Sequence, residues 1–184
     1  MSLLYRDTLY HGTVSVIEHV DVSAGRDHKD FGQGFYMAVD KMQAIGMMQK
    51  KYREAMARLR NKSGKTDLNE MLYEIKLNTD LMKSLDVKEF YTADAEWLEF
   101  VLHCREHGGV PHDHDLIIGP TADDDTLLCL KSYWDGLYGR TGSKEAKDIL
   151  LRNLEPENLG IQYYIGKQTV ADELILSIQE VKHR

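Results

Sequence analysis

A chain of 184 residues, 42% hydrophobic and 29% charged, has the balance of one globular domain large enough to enclose a core. A net charge of −7 argues against a nucleic acid or an acidic membrane surface as partner of the whole chain. Two cysteines, Cys104 and Cys129, make no disulfide framework; with no leader pattern and no apolar run near ~18 residues, a soluble protein of the reducing cytoplasm is expected.

In chain order, residues 4–10 read as a strand, and residues 14–29 as a short helical turn followed by a long loop. Residues 34–39 read as a short strand. Asp40 then caps a helix from residue 41 to about residue 60. Asn61-Lys62-Ser63-Gly64-Lys65 is a loop, and residues 71–77 alternate as a half-buried strand should. Thr92 or Asp94 begins a second long helix, with Trp97, Phe100, Val101 and Cys104 at i, i+3, i+4 and i+7, and Gly108-Gly109 stops it. Residues 115–120 form a short buried strand, and 124–138 and 144–153 are helices joined by the loop 139–143. A strand at 161–165, a helical turn at 169–173 and a strand at 174–181 complete the chain. Pro111, Pro120 and Pro156 fall at element boundaries, and there is neither a repeat nor a linker-length loop. Residues 1–184 are therefore expected to form one domain, and strands mixed with helices without strict alternation indicate α+β.

Two strings carry the chemistry: Leu9-Tyr10-His11-Gly12-Thr13, and Asp30-Phe31-Gly32-Gln33-Gly34-Phe35-Tyr36. Singly, each has a plain reading: a strand running into a turn, and a glycine-rich hairpin with Phe35 and Tyr36 in the core. Together, in this order and spacing, they resemble the first two NAD-binding motifs of the ADP-ribosyltransferases, in the diphtheria-toxin-like branch with its His, Tyr, Glu motif order. The chain is more similar still to a bacterial family of that superfamily. It shares with that family the D-F-G-x-G-F-Y string, the segment Glu96-Trp97-Leu98-Glu99-Phe100, Ile118-Gly119-Pro120-Thr121-Ala122-Asp123-Asp124, and the strand Gln162-Tyr163-Tyr164.

The resemblance implies a split two-sheet core with surrounding helices, and NAD as the substrate. His11 would orient a ribose hydroxyl, Gly12 clasp the carboxamide through its backbone, Thr13 fix the turn, and Tyr36 stack on nicotinamide beside Gly34. Arg26, in the loop between the motifs, would meet the pyrophosphate or else be a plain surface arginine. Met47 would cover the ring where related transferases carry a second aromatic, although Met47 and Met48 also suit a core. The implied activity is mono-ADP-ribosyl transfer to an acceptor of unknown class. The implied role is that of a toxin held by a small antitoxin-like partner.

Gln162 stands where the transferases place a catalytic glutamate. An amide can accept a ribose hydrogen bond but supplies no negative charge to a developing oxocarbenium ion. Three outcomes stay open: the acceptor's own carboxylate assists, another acid (Glu96, Glu99 or Asp123) does the work, or the protein binds NAD and catalyses little. Glu96 and Glu99 also read as a solvated helix face. A rival constellation, His103-Cys104-Arg105-Glu106-His107, matches H-x-x-E-H and would make a zinc hydrolase; its plain reading is histidines at a helix C-terminus. Asp123-Asp124-Asp125 reads as helix N-terminal acids, and the basic run between Lys50 and Lys65 as a solvated helix face and loop.

Overall fold

The computed structural model describes residues 5–59, 68–122, 124–154 and 159–182. Seven strands and five helices lie among them: β1 (Thr8–Thr13), β2 (Phe35–Ala38), α1 (Lys41–Leu59), β3 (Met71–Leu77), β4 (Val87–Glu89), α2 (Ala95–His107), β5 (Leu116–Pro120), α3 (Asp124–Trp134), α4 (Lys144–Asn153), β6 (Ile161–Ile165), α5 (Gln168–Leu174) and β7 (Ile175–Glu180). The strands form one mixed sheet in the order β4-β5-β6-β2-β1-β3-β7. Only β4 and β5 run parallel. The fold is α+β, and no helix of the described residues is long and apolar enough to cross a membrane. The 61–65 loop, Pro156 and Asp123 lie outside the described residues.

Side-chain alternation decides the layers. Leu116 and Ile118 of β5, with Leu9, Met37, Ile75 and Tyr163, face one core closed by Val170, Ala171 and Leu174 of α5. Ile117 and Tyr164 face the other way, against Trp97, Leu98 and Val101 of α2, Leu130 of α3 and Leu150 of α4. Beyond them α1 lays Ala44 and Met48 on Ala38 and Leu72.

Local chemistry sets the helix ends. The Asp40 carboxylate accepts from the Met42 N–H at 2.8 Å, and Asp94 accepts from the Trp97 N–H at 3.0 Å, so Asp94 rather than Thr92 starts α2. Gly108 ends α2 at φ 68°, donating to the Cys104 carbonyl. The helix expected over 124–138 stops at Trp134, because the Gly136 N–H turns back to the Tyr133 carbonyl and Gly136 takes φ 76°. Strand β1 runs past Tyr10 through Thr13, since His11, Gly12 and Thr13 pair with Tyr73, Leu72 and Met71 of β3. Strand β4 had no signal in the sequence: a three-residue edge is too short to show a period.

The sheet has a neck. β1 pairs with β3 along its whole length, but with β2 only at Tyr10 opposite Ala38. Beyond that pair the two strands that carry the motifs diverge.

Candidate functional site

At the divergence, the His11 side chain replaces the missing ladder. Its Nδ1–H donates to the Tyr36 carbonyl at 2.6 Å, and the ring stacks on Phe35 at 4.7 Å. A carbonyl only accepts, so Nδ1 carries the proton and Nε2 is left as an acceptor. The Lys51 ammonium on α1 approaches that Nε2 at 3.3 Å and donates to the Gly12 carbonyl at 2.8 Å. One cation therefore holds two adjacent acceptors at the end of β1.

Burial first, then the Lys51 charge, push the His11 imidazole down to about 3, against the opposing effect of the Tyr36 carbonyl. Burial, with Lys29 and Arg26 as neighbouring cations, lowers Lys51 to about 8. The unfolded chain, with its imidazole near ~6.5, takes up a proton before the folded one does. His11 therefore adds stability above about pH 6.5 that is lost as pH falls towards about 3, by at most about 1.4 kcal/mol per pH unit and less for a partly exposed ring. Histidine nitrogen shifts followed by NMR should show a neutral His11 throughout pH 5 to 8. In Lys51→Met the midpoint should rise but stay below the free value, because burial remains. A midpoint near that of free imidazole in the wild type would contradict this arrangement.

Gly12 is required by packing. A Cβ there would lie 1.9 Å from the Ala44 carbonyl oxygen and 2.8 Å from the Met48 Cβ, so α1 rests directly on the β1 backbone. Thr13 behaves as its position implied: its hydroxyl accepts from the Ser15 N–H at 3.3 Å and holds the turn.

The second motif is stitched to the end of α2. The Tyr36 hydroxyl donates to the Gly32 carbonyl at 2.7 Å and accepts from the Phe31 N–H at 3.0 Å, closing the glycine-rich loop on itself. Burial holds that phenol well above its ordinary range, so it stays protonated. The ring is half-buried, between Phe31 and Tyr164. Gly34 presses against the Tyr164 ring and the Ile165 carbonyl, where a Cβ would find 2.4 and 2.5 Å, so this glycine is committed to packing on β6. Asp27 accepts from the Gly109 N–H, His28 donates to the Arg105 carbonyl, and the Gln33 N–H donates to the Gly109 carbonyl at 2.6 Å.

Asp30 lies beneath this loop. Its Oδ1 accepts from Arg105 Nε at 3.1 Å and from Arg105 Nη2. Its Oδ2 accepts from the Ala122 N–H at 2.9 Å and from Gln162 Nε2 at 2.9 Å. Gln162, opposite Ala38 in β2 and Gly119 in β5, is buried and also directs Nε2 towards the Pro120 carbonyl at 3.4 Å.

The remaining expectations divide. Met47 is 43% exposed and not core, whereas Met48 is fully buried. Gln43, Met47 and Lys51 form one row along α1, at i, i+4 and i+8. Gln43 abuts Gly160 at one end of the row and Lys51 holds His11 at the other, so Met47 stands between them on the same side of α1. Arg26 is exposed and pairs with Glu54 of α1 at 3.2 Å, one turn from Lys50 and Lys51. Glu96 and Glu99 are exposed and pair with Lys88 and Lys147, so the structure does not bring them to His11 or Tyr36: α2 turns Trp97, Leu98 and Val101 inward and these two carboxylates outward.

His103, Glu106 and His107 sit exposed on the last turn of α2, with His107 donating to the His103 carbonyl of its own helix. Among the described residues no three His, Cys, Asp or Glu side chains come together as a metal site. The residue of that string that matters to the fold is Arg105. Neither it nor Lys51 stood out in the sequence, although a signal existed, and Asp30 was legible there only as the first residue of the glycine-rich string. Lys51 lies seven residues after Ala44 and three after Met48, on the buried stripe of α1, and Arg105 lies four after the buried Val101.

Residues 8–176 match the model of a family described as Protein of unknown function (DUF3990), and the chain belongs to that family. No curated protein matches it significantly.

Proposed function

We propose, with membership of that family as the premise, that the chain binds NAD in the opening between β1 and β2 and transfers a single ADP-ribose to an acceptor, as the resemblance to the His-Tyr-Glu ADP-ribosyltransferases implies. One observation carries the reading: the His11 imidazole bridges to the Tyr36 carbonyl where the sheet narrows to a single pair. In this reading the neck is the split of a two-sheet core, with β1, β3 and β7 on one side and β4, β5, β6 and β2 on the other.

The acceptors suit the ligand. His11 Nε2 and the Gly12 carbonyl, both held by Lys51, offer paired places for donors. A ribose hydroxyl would donate to the first and the carboxamide N–H to the second, displacing the ammonium. Nicotinamide would lie along Tyr36 with Met47 at its edge, and the freed Lys51 together with Arg26 would face the pyrophosphate. The nicotinamide–ribose C–N bond breaks and its electron pair leaves with nicotinamide. The anomeric carbon then takes the acceptor's nucleophile, which gives up its proton. By the same resemblance the protein would act as a toxin held by a small partner. Growth arrest on expression, absent with His11→Ala, is the expected sign.

A second reading is a module that binds NAD or ADP-ribose with little or no transfer. Its support is the charge inventory: Gln162 is neutral, Asp30 has every lone pair occupied, and Glu96 and Glu99 are paired on the surface. Incubation with labelled NAD and lysate separates the two. Label on a macromolecule, lost in His11→Ala and Tyr36→Ala, supports transfer. Binding without product supports the module, free nicotinamide without transfer indicates a glycohydrolase, and no binding at all defeats the NAD reading.

A further inference from the structure

The buried carboxylate of Asp30 does not sit in the opening, yet it governs the one side chain at the third-motif position. It ties together three segments that are remote in sequence: Arg105 on α2, the Ala122 N–H after β5, and Gln162 on β6. The Arg105 and Asp30 side chains are only 10% and 8% exposed. A carboxylate offers about four lone-pair sites, and here two N–H groups of Arg105, one backbone N–H and one amide fill them. Asp30 thus has no lone pair left for a substrate.

What remains free is on Gln162. Both groups facing its Nε2, the Asp30 carboxylate and the Pro120 carbonyl, are pure acceptors, so the amide can lie only one way round. Its Oε1 then points away from Asp30, and no donor among the described residues reaches it.

We propose that Asp30, clamped by Arg105, is a positioning residue that holds the Gln162 amide with Nε2 inward and Oε1 presented as a neutral acceptor for a hydroxyl of the bound ribose. The recognition of a ribose hydroxyl rests on the NAD reading above; the clamp itself does not. The clamp also explains why a glutamine occupies this place. A glutamate would set a second carboxylate against Asp30 Oδ2, and two carboxylates sharing a site cannot both ionise cheaply. At this position Asp30 excludes the charged residue and selects its amide.

Three measurements on the 184-residue chain test the proposal. In the 15N-labelled wild type, the Gln162 side-chain NH2, assigned by its absence in Gln162→Met, should exchange with solvent at least about tenfold more slowly than exposed glutamine amides. Asp30→Asn should bring it to the exposed rate. Should Asp30→Asn fail to fold, Gln162→Glu gives an independent readout. Its carboxyl, raised by Asp30, should make the melting temperature, taken as the difference from the wild type at each pH so that the His11 contribution cancels, fall as pH rises from about 5 to 8. Wild-type exchange at the exposed rate, or a difference between Gln162→Glu and the wild type that does not change with pH, overturns the clamp.

The third measurement is binding of NAD against its analogue lacking the 2′-hydroxyl on the nicotinamide ribose. The wild type should favour NAD by about tenfold, and Gln162→Met should lose that preference, one hydrogen bond being at stake. Preference retained in Gln162→Met overturns the hydroxyl recognition. If the wild type binds neither dinucleotide, the NAD reading falls and the hydroxyl recognition with it, while the exchange and pH results decide the clamp on their own.

Discussion

Arg105→Met is expected to destabilise the protein by about 3–5 kcal/mol, the cost of leaving a buried carboxylate without its cation. Arg105 donates to Asp30 through Nε at 3.1 Å and through Nη2, between side chains that are nine-tenths or more buried. Methionine keeps an apolar stem of similar length but removes both donors, and Asp30 is left with Ala122 and Gln162 alone. For a chain of this length the loss should lower the melting temperature by about 6 to 20 °C. In urea the midpoint should move at an unchanged slope. A second substitution, Asp30→Leu, made on top of it should recover part of the loss, because it removes the unpaired buried charge while leaving the Ala122 N–H and the Gln162 amide without their acceptor. A single variant as stable as the wild type would mean that the Asp30 loop is not held by this pair.

Gly12→Ala should cost about 3 kcal/mol or more, beyond ordinary overpacking. The added methyl would lie 1.9 Å from the Ala44 carbonyl oxygen, and that atom belongs to helix backbone that cannot rotate aside. α1 would have to lift off β1 and carry Lys51 with it, so the proposed NAD binding should fall together with stability. Gly46, on the same helix with open space around it, is the control. Gly46→Ala should stabilise by roughly 0.5–1 kcal/mol, the helix-propensity gain alone. Equal behaviour of the two variants under urea denaturation would refute the close approach of α1 to β1.

The sequence by itself determined the local elements. The Asp40 cap and the helix behind it, the stripe of Trp97, Val101 and Cys104 ended at Gly108, the alternation of β3 and the apolar run of β5 all reflect physics acting within a few residues. Together they were enough for an α+β domain and for the two motif strings. Tertiary structure alone decided which polar groups meet. Asp30 and Arg105 are 75 residues apart, and Asp30 and Gln162 are 132 apart, so no window along the chain could pair them. Lys51 belongs to a basic run that reads as solvated, yet its long apolar stem lies on the buried stripe of α1 and delivers the amine to His11. Glu96 and Glu99 read in the sequence as candidate acids or as a solvated helix face, and the rotation of α2, set by which of its faces was more apolar, turned them to solvent. Periodicity reports which face of an element is buried. It does not report which charge at the edge of that face finds a partner, because that depends on the strand order, and the strand order is settled only when the non-local pairs form.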